Sequence, residues 1–76
     1  MKWEAVITTP KYLRCVIEHE QFTNIIDNTP LEGFYLYVYD KDEKNTHDYL
    51  QDTFQFAVEQ ASEDFGVPET AWRRIE

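Results

Sequence analysis

Apolar and polar residues alternate with a period of two through the first half of the chain, then shift to a helical spacing. In residues 2–9, Trp3, Ala5 and Ile7 alternate with Glu4, Val6 and Thr8, which predicts a strand. Thr9-Pro10-Lys11 punctuates it, because Pro10 has a fixed φ and no N–H to donate. Residues 12–18 form a second strand, with Leu13, Cys15 and Ile17 on one face and Tyr12, Arg14, Val16 and Glu18 on the other. The short connection makes the two a hairpin. Residues 20–27 fit two periods. Phe22, Ile25 and Ile26 suit a helix, whereas Phe22, Asn24 and Ile26 suit a strand. The β-branched Thr23, Ile25 and Ile26 tilt the expectation to a short third strand. Asn28-Thr29-Pro30 ends it and Gly33 closes the loop. Residues 34–39 are the clearest strand, with Phe34, Leu36 and Val38 opposite Tyr35, Tyr37 and Tyr39. Residues 40–44 are a charged turn.

Residues 45–65 are expected to form one long amphipathic helix. Asn45 or Thr46 is its N-cap and Asp48 lies in its first turn. Leu50, Phe54, Ala57, Val58, Ala61 and Phe65 form its apolar stripe, widened by Tyr49 and Phe56. Gly66 suits a left-handed C′ position, Val67 can fold back on the last turn, and Pro68 forbids continuation. Residues 69–75 are a short helical turn or extended tail whose Trp72 packs on the core. The predicted fold is α+β: an antiparallel three- to four-stranded meander with one long C-terminal helix on one face, ββ(β)βα.

A chain of 76 residues is one domain, and it buries only about 60–65% of its unfolded surface. Cys15 stands alone, so no internal disulfide supports the fold, and a lone thiol suits a reducing compartment. Two Trp, five Tyr and five Phe supply the core instead. No apolar run after Lys2 resembles a signal peptide, and none approaches the roughly 20 residues of a membrane span. A soluble, cytoplasmic protein is expected.

Fifteen acids oppose seven bases, for a net charge of −8. That charge repels nucleic-acid phosphates and acidic membrane leaflets, and it steers a basic protein inward. Acidity also simply keeps a small domain soluble. The segment 40–51 places Asp40 and Asp42 like the first ligands of a calcium loop. Lys44, Asn45 and Gln51 then stand where a ligand, a glycine and a glutamate are required, so no calcium site is expected. His19 and His47 are far apart in sequence and read as solvated loop residues, so no metal centre is expected. Cys15 points to the core, where a thiol is inert packing, and no other nucleophile lies beside a base. Gly33 and Gly66 are too few for a phosphate loop. One sheet and one helix of this size are not expected to enclose a ligand pocket of roughly 300 Å3. An enzyme is not expected, nor is a cofactor.

Two surfaces remain as candidates. With the helix on the Phe34 side, Tyr35, Tyr37 and Tyr39 project from the other, where Tyr12, Val6 and Val16 can join them. Contiguous tyrosines mark interfaces, although tyrosine also suits any half-exposed strand. On the helix, Asp48, Asp52, Glu59 and Glu63 form an acidic stripe with no Lys or Arg between residues 45 and 72. Like charges at this spacing cost a few tenths of a kcal/mol each, so a helix built only for stability would carry lysines.

The run Asp48-Tyr49-Leu50-Gln51-Asp52-Thr53, with Ala57, Ala61, Glu63, Phe65-Gly66-Val67-Pro68 and Trp72, covers about a third of the chain. It resembles the C-terminal half of a group of small bacterial proteins with a DYLxDT…FGVPxxxW pattern. That resemblance implies a strand-rich N-terminal half, a helix after it and a bacterial origin, and it carries no activity. In size, charge and architecture the chain also resembles immunity proteins that neutralise secreted toxins. The expected function is a non-enzymatic protein-binding module for a more basic partner. Tyr35, Tyr37 and Tyr39 would be its anchors, and Asp48, Asp52, Glu59 and Glu63 its steering charges. The alternatives are a homodimer through the tyrosine face and a nucleic-acid mimic.

Overall fold

The computed structural model describes residues 1–76. Strand β1 spans Lys2–Ile7, β2 Leu13–Thr23, β3 Pro30–Tyr39 and β4 Asn45–Gln51. Helix α1 spans Phe54–Phe65, followed by a single 3-10 turn at Glu69–Ala71 and a two-residue strand β5 at Arg73–Arg74. All pairings are antiparallel and the sheet order is β4-β3-β2-β1-β5. The fold is α+β, a meander closed by a fifth strand that returns to the outer edge of β1.

The alternating residues of the first three strands point where their pattern requires. Ala5, Leu13, Cys15, Ile17, Leu36 and Val38 are buried under the helix. From the helix, Ala57, Val58 and Ala61 complete this core. The two alanines present no bulk beyond Cβ, so the helix backbone approaches the sheet closely. Trp3, Phe34 and Phe54 stack together at one end of this layer, with centroids 4.5–6.3 Å apart. Val67 is fully buried, and Trp72 packs on the core as expected.

The helix is shorter than its apolar period suggested, at 12 residues. Residues 45–51 are strand, not helix: Asn, Thr, His and Asp are poor helix formers, and the segment pairs along the open edge of β3. His47, Tyr49 and Gln51 face α1, while Asp48 and Leu50 face away. The N-cap is therefore Thr53, neither Asn45 nor Thr46. Its backbone is extended, and its Oγ1 accepts the Phe56 N–H at 3.0 Å. Leu50 leaves the stripe and is 54% exposed. The stop at Gly66 is as the sequence indicates. Gly66 has φ 70°, its N–H donates to Ser62 O, and the Val67 N–H donates to Ala61 O.

Residues 20–27 are not an independent third strand. Up to Thr23 they extend β2, and residues 24–29 form the connecting loop to β3. Gly33 lies within β3 opposite Glu20. A Cβ there would come within 2.6 Å of the Leu50 side chain and 3.3 Å of Phe22, so the bare backbone makes room for both.

Candidate protein-binding surface

Neither the helix nor the C-terminal segment covers the second face of the sheet. The antiparallel registers set side chains there in rows. One row runs Lys2, Glu18, Tyr35, Leu50; the next runs Glu4, Val16, Tyr37, Asp48; a third runs Val6, Arg14, Tyr39. Beyond them lie Glu20 with Gly33, then Phe22 with Leu31. The three tyrosines are half-buried by one another and by their neighbours. Tyr35 and Tyr37 stack at 5.8 Å, and Phe22 meets Tyr35 edge-on. The Arg14 guanidinium lies 4.5 Å from the centre of the Tyr39 ring.

Charge on this face is uneven. Near β1, Arg14 bonds Glu43 at 3.0 Å and Glu4 at 3.4 Å, and Arg73 reaches Glu4 at 3.0 Å. Partial burial opposes the Arg14 charge, but the two carboxylates outweigh it and hold the guanidinium protonated beyond its usual range. Near the tyrosines the balance is acidic. A hydrogen bond shared with Glu20, aided by partial burial, raises the Glu18 carboxyl above its usual range. Partial burial, with the Glu18 charge and the neighbouring phenols, raises the Tyr37 hydroxyl. Tyr37 therefore stays a neutral donor, suited to a hydrogen bond across an interface.

The four acids assigned to one helical stripe are divided. Asp48 is on β4, paired with Tyr37, and joins the tyrosine face. Asp52 sits in the turn before α1. Only Glu59 and Glu63 are on the helix, on its exposed side. Glutamines, not lysines, partner two of the helix acids: Gln55 donates to Glu59 and Gln60 to Asp64, each at 3.4 Å and four residues apart.

The histidines lie on strands, not in the loops expected of them; His19 is half-buried, whereas His47 is exposed, as expected. His19 is on β2, stacked on Phe34 with centroids 4.5 Å apart, and its Nε2 bonds Glu32 at 3.0 Å. His47 is on β4 against Tyr49 and Phe65. It borders an open cleft of about 700 Å3 at the far end of the sheet, lined also by Leu13, Val38, Phe65, Lys11 and Asp64. This cleft was not anticipated. It arises where the turns before β2 and β4 leave the C-terminal end of α1 uncovered. Asp40, at its rim, accepts the backbone N–H groups of Asp42 and Lys44 and so shapes its own turn. No three His, Cys, Asp or Glu side chains converge as a metal site. Burial pushes the Cys15 thiol up to about 11, which keeps it protonated and unreactive.

A residue group missed at the sequence level completes the face: Phe22, Leu31 and Leu50 carry apolar surface outward from the tyrosines. Its signal was present in the period of two, which puts Phe22 on the face of Glu20 and Leu31 on the face of Gly33 and Tyr35, once residues 20–33 are read as one hairpin. No helix is long and apolar enough to cross a membrane. No known protein family, characterised protein or solved structure matches this chain.

Proposed function

We propose that this domain is a non-enzymatic protein-binding module of the cytoplasm that regulates or neutralises a more basic protein, in the manner of an immunity-like inhibitor. The observation that carries the reading is the uncovered sheet face, where Tyr35, Tyr37 and Tyr39 lie among Glu18, Glu20 and Asp48. Aromatic anchors with acidic neighbours suit a partner that offers apolar surface ringed by positive charge. The homodimer is disfavoured because each copy carries a net charge of −8. A nucleic-acid mimic needs acids in a regular array, whereas Asp48 and Asp52 are separated from Glu59 and Glu63 by the turn of the chain.

The test is affinity capture at low salt from the cells that make the protein, in parallel with Tyr37→Ser and Asp48→Lys variants. A partner retained by the wild type, lost by both variants and kept by Glu59→Lys is the expected outcome. Capture that is indifferent to Tyr37 and Asp48 would remove the open face as the binding surface.

A further inference from the structure

The β2–β3 hairpin is longer than the sheet that supports it. β1 pairs along β2 only as far as Glu18, and β4 pairs along β3 only as far as Phe34. Residues 20–33 therefore stand clear as a two-stranded arm, at one end of a molecule 46 Å long and about half that across.

An unsupported ribbon of two strands is only marginally stable in water. This one is tied at its tip by its own polar groups. The Asn24 N–H donates to Thr29 O at 2.9 Å, and the Asn28 N–H to Asn24 O at 2.7 Å. The Asn24 side chain accepts the Ile26 N–H at 2.9 Å. Asp27 accepts both the N–H and the hydroxyl of Thr29, at 3.1 and 2.7 Å. Asn24 and Asp27 thus fold onto the loop, and Ile25 and Ile26 are left outside, 96% and 92% exposed. Two adjacent bare isoleucines contribute nothing to this fold, and their burial elsewhere is favourable. Phe22 and Leu31 link them back to Tyr35.

Charge selects what receives this tip. Residues 16–39 contain Glu18, Glu20, Asp27 and Glu32 and no lysine or arginine. An anionic bilayer is repelled by such an arm, and so is a second copy with its own charge of −8. We infer that the arm is the leading element of the binding surface, its Ile25–Ile26 tip entering an apolar recess edged by lysine and arginine on a protein partner. This inference rests on the reading that the open face binds a basic protein, and it adds the element that enters first.

The test places a photoreactive benzophenone side chain at position 25, 37 or 59 of the full chain in the cells that make it. The expected result is a protein cross-linked from 25 and 37 but not from 59, through a peptide flanked by Lys or Arg. With that protein purified, Ile25→Asp/Ile26→Asp weakens binding by at least about thirtyfold. Glu20→Gln/Asp27→Asn slows association about fivefold at low salt, a difference that closes near about 0.5 M salt. Both isoleucines are exposed, so the melting temperature of the double variant stays that of the wild type. A partner cross-linked from 37 alone, with affinity indifferent to Ile25 and Ile26, overturns the arm and leaves the open face standing. No protein cross-linked from either position overturns both. Cross-links from 25 to a second copy only, or Ile25-dependent sedimentation with phosphatidylcholine–phosphatidylglycerol vesicles, overturn the arm's assignment to a basic protein.

Discussion

Glu18 shows how one side chain couples the open face to stability. Its carboxyl is raised first by the hydrogen bond it shares with Glu20 and then by partial burial. The folded protein therefore holds that proton more tightly than the unfolded chain does. The resulting stabilisation is full below the unfolded carboxyl range, near about pH 4, and is lost as pH rises through the folded value. Glu18→Gln should accordingly stabilise the protein more at about pH 7.5 than at about pH 4. Denaturant melts of the two proteins at both pH values check this, and an equal gain at both would deny the shared proton. Single residues with one clear physical role were legible in the sequence. Gly66 has no Cβ to oppose a positive φ, and Trp72 could not be left in water. Leu50 was not legible, because an apolar residue next to an element boundary fits a helical stripe and an exposed strand equally well.

The elements divide by whether their period was unique. The strands holding Trp3, Ala5 and Ile7, or Phe34, Leu36 and Val38, alternate without a rival pattern and do form, although the first stops at Ile7 and the other begins at Pro30, ahead of the expected start at Phe34. The segment from Asn45 to Phe65 joins a seven-residue strand to a twelve-residue helix. Phe54 continues the spacing from Leu50, so the junction is hidden. The signal that betrays it is Thr53 three residues before Phe56, a cap inside what read as one helix. Thr53→Ala should cost about 1 kcal/mol, measured by urea denaturation. If α1 began near Asn45, the same change would fall mid-helix and would slightly stabilise it, since alanine is the better helix former. The β2–β3 arm escaped notice for a different reason. Ile25 and Ile26 look like core residues in any hydrophobicity pattern, and only their position in a self-bonded loop shows that the core does not contain them.

On the scale of the whole molecule, the exposed apolar residues Phe22, Leu31 and Leu50 share one side of the sheet with the tyrosines and with Glu18, Glu20 and Asp48. The helix, the C-terminal segment and nearly all the core lie on the other. This asymmetry was half legible: the tyrosine face followed from strand alternation, whereas the acidic stripe was laid along one helix from Asn45, and α1 begins only at Phe54. Asp48 joined the face only through the pairing of β4 with β3. A face carrying unpaired acids resists self-association, so light scattering should give a monomer mass at about 0.1 and about 1 mM in low salt. A dimer under those conditions would return the tyrosines to a partner of their own kind.

The short strand β5 bears on how the protein is made. The Lys2 N–H donates to Glu76 O, and the Ile75 and Glu76 N–H groups donate to Lys2 O, so strand β1 is bordered by β5, the strand made latest of the five. While residues 73–76 are still inside the exit tunnel, β1 presents a bare sheet edge and Glu4 lacks its Arg73 partner. The nascent chain can form the β2–β3 hairpin early, since those contacts are local, but the sheet closes only once residues 73–76 have emerged. The acidic, well-tied arm is thus the part of the surface available soonest, ahead of the fold that carries it.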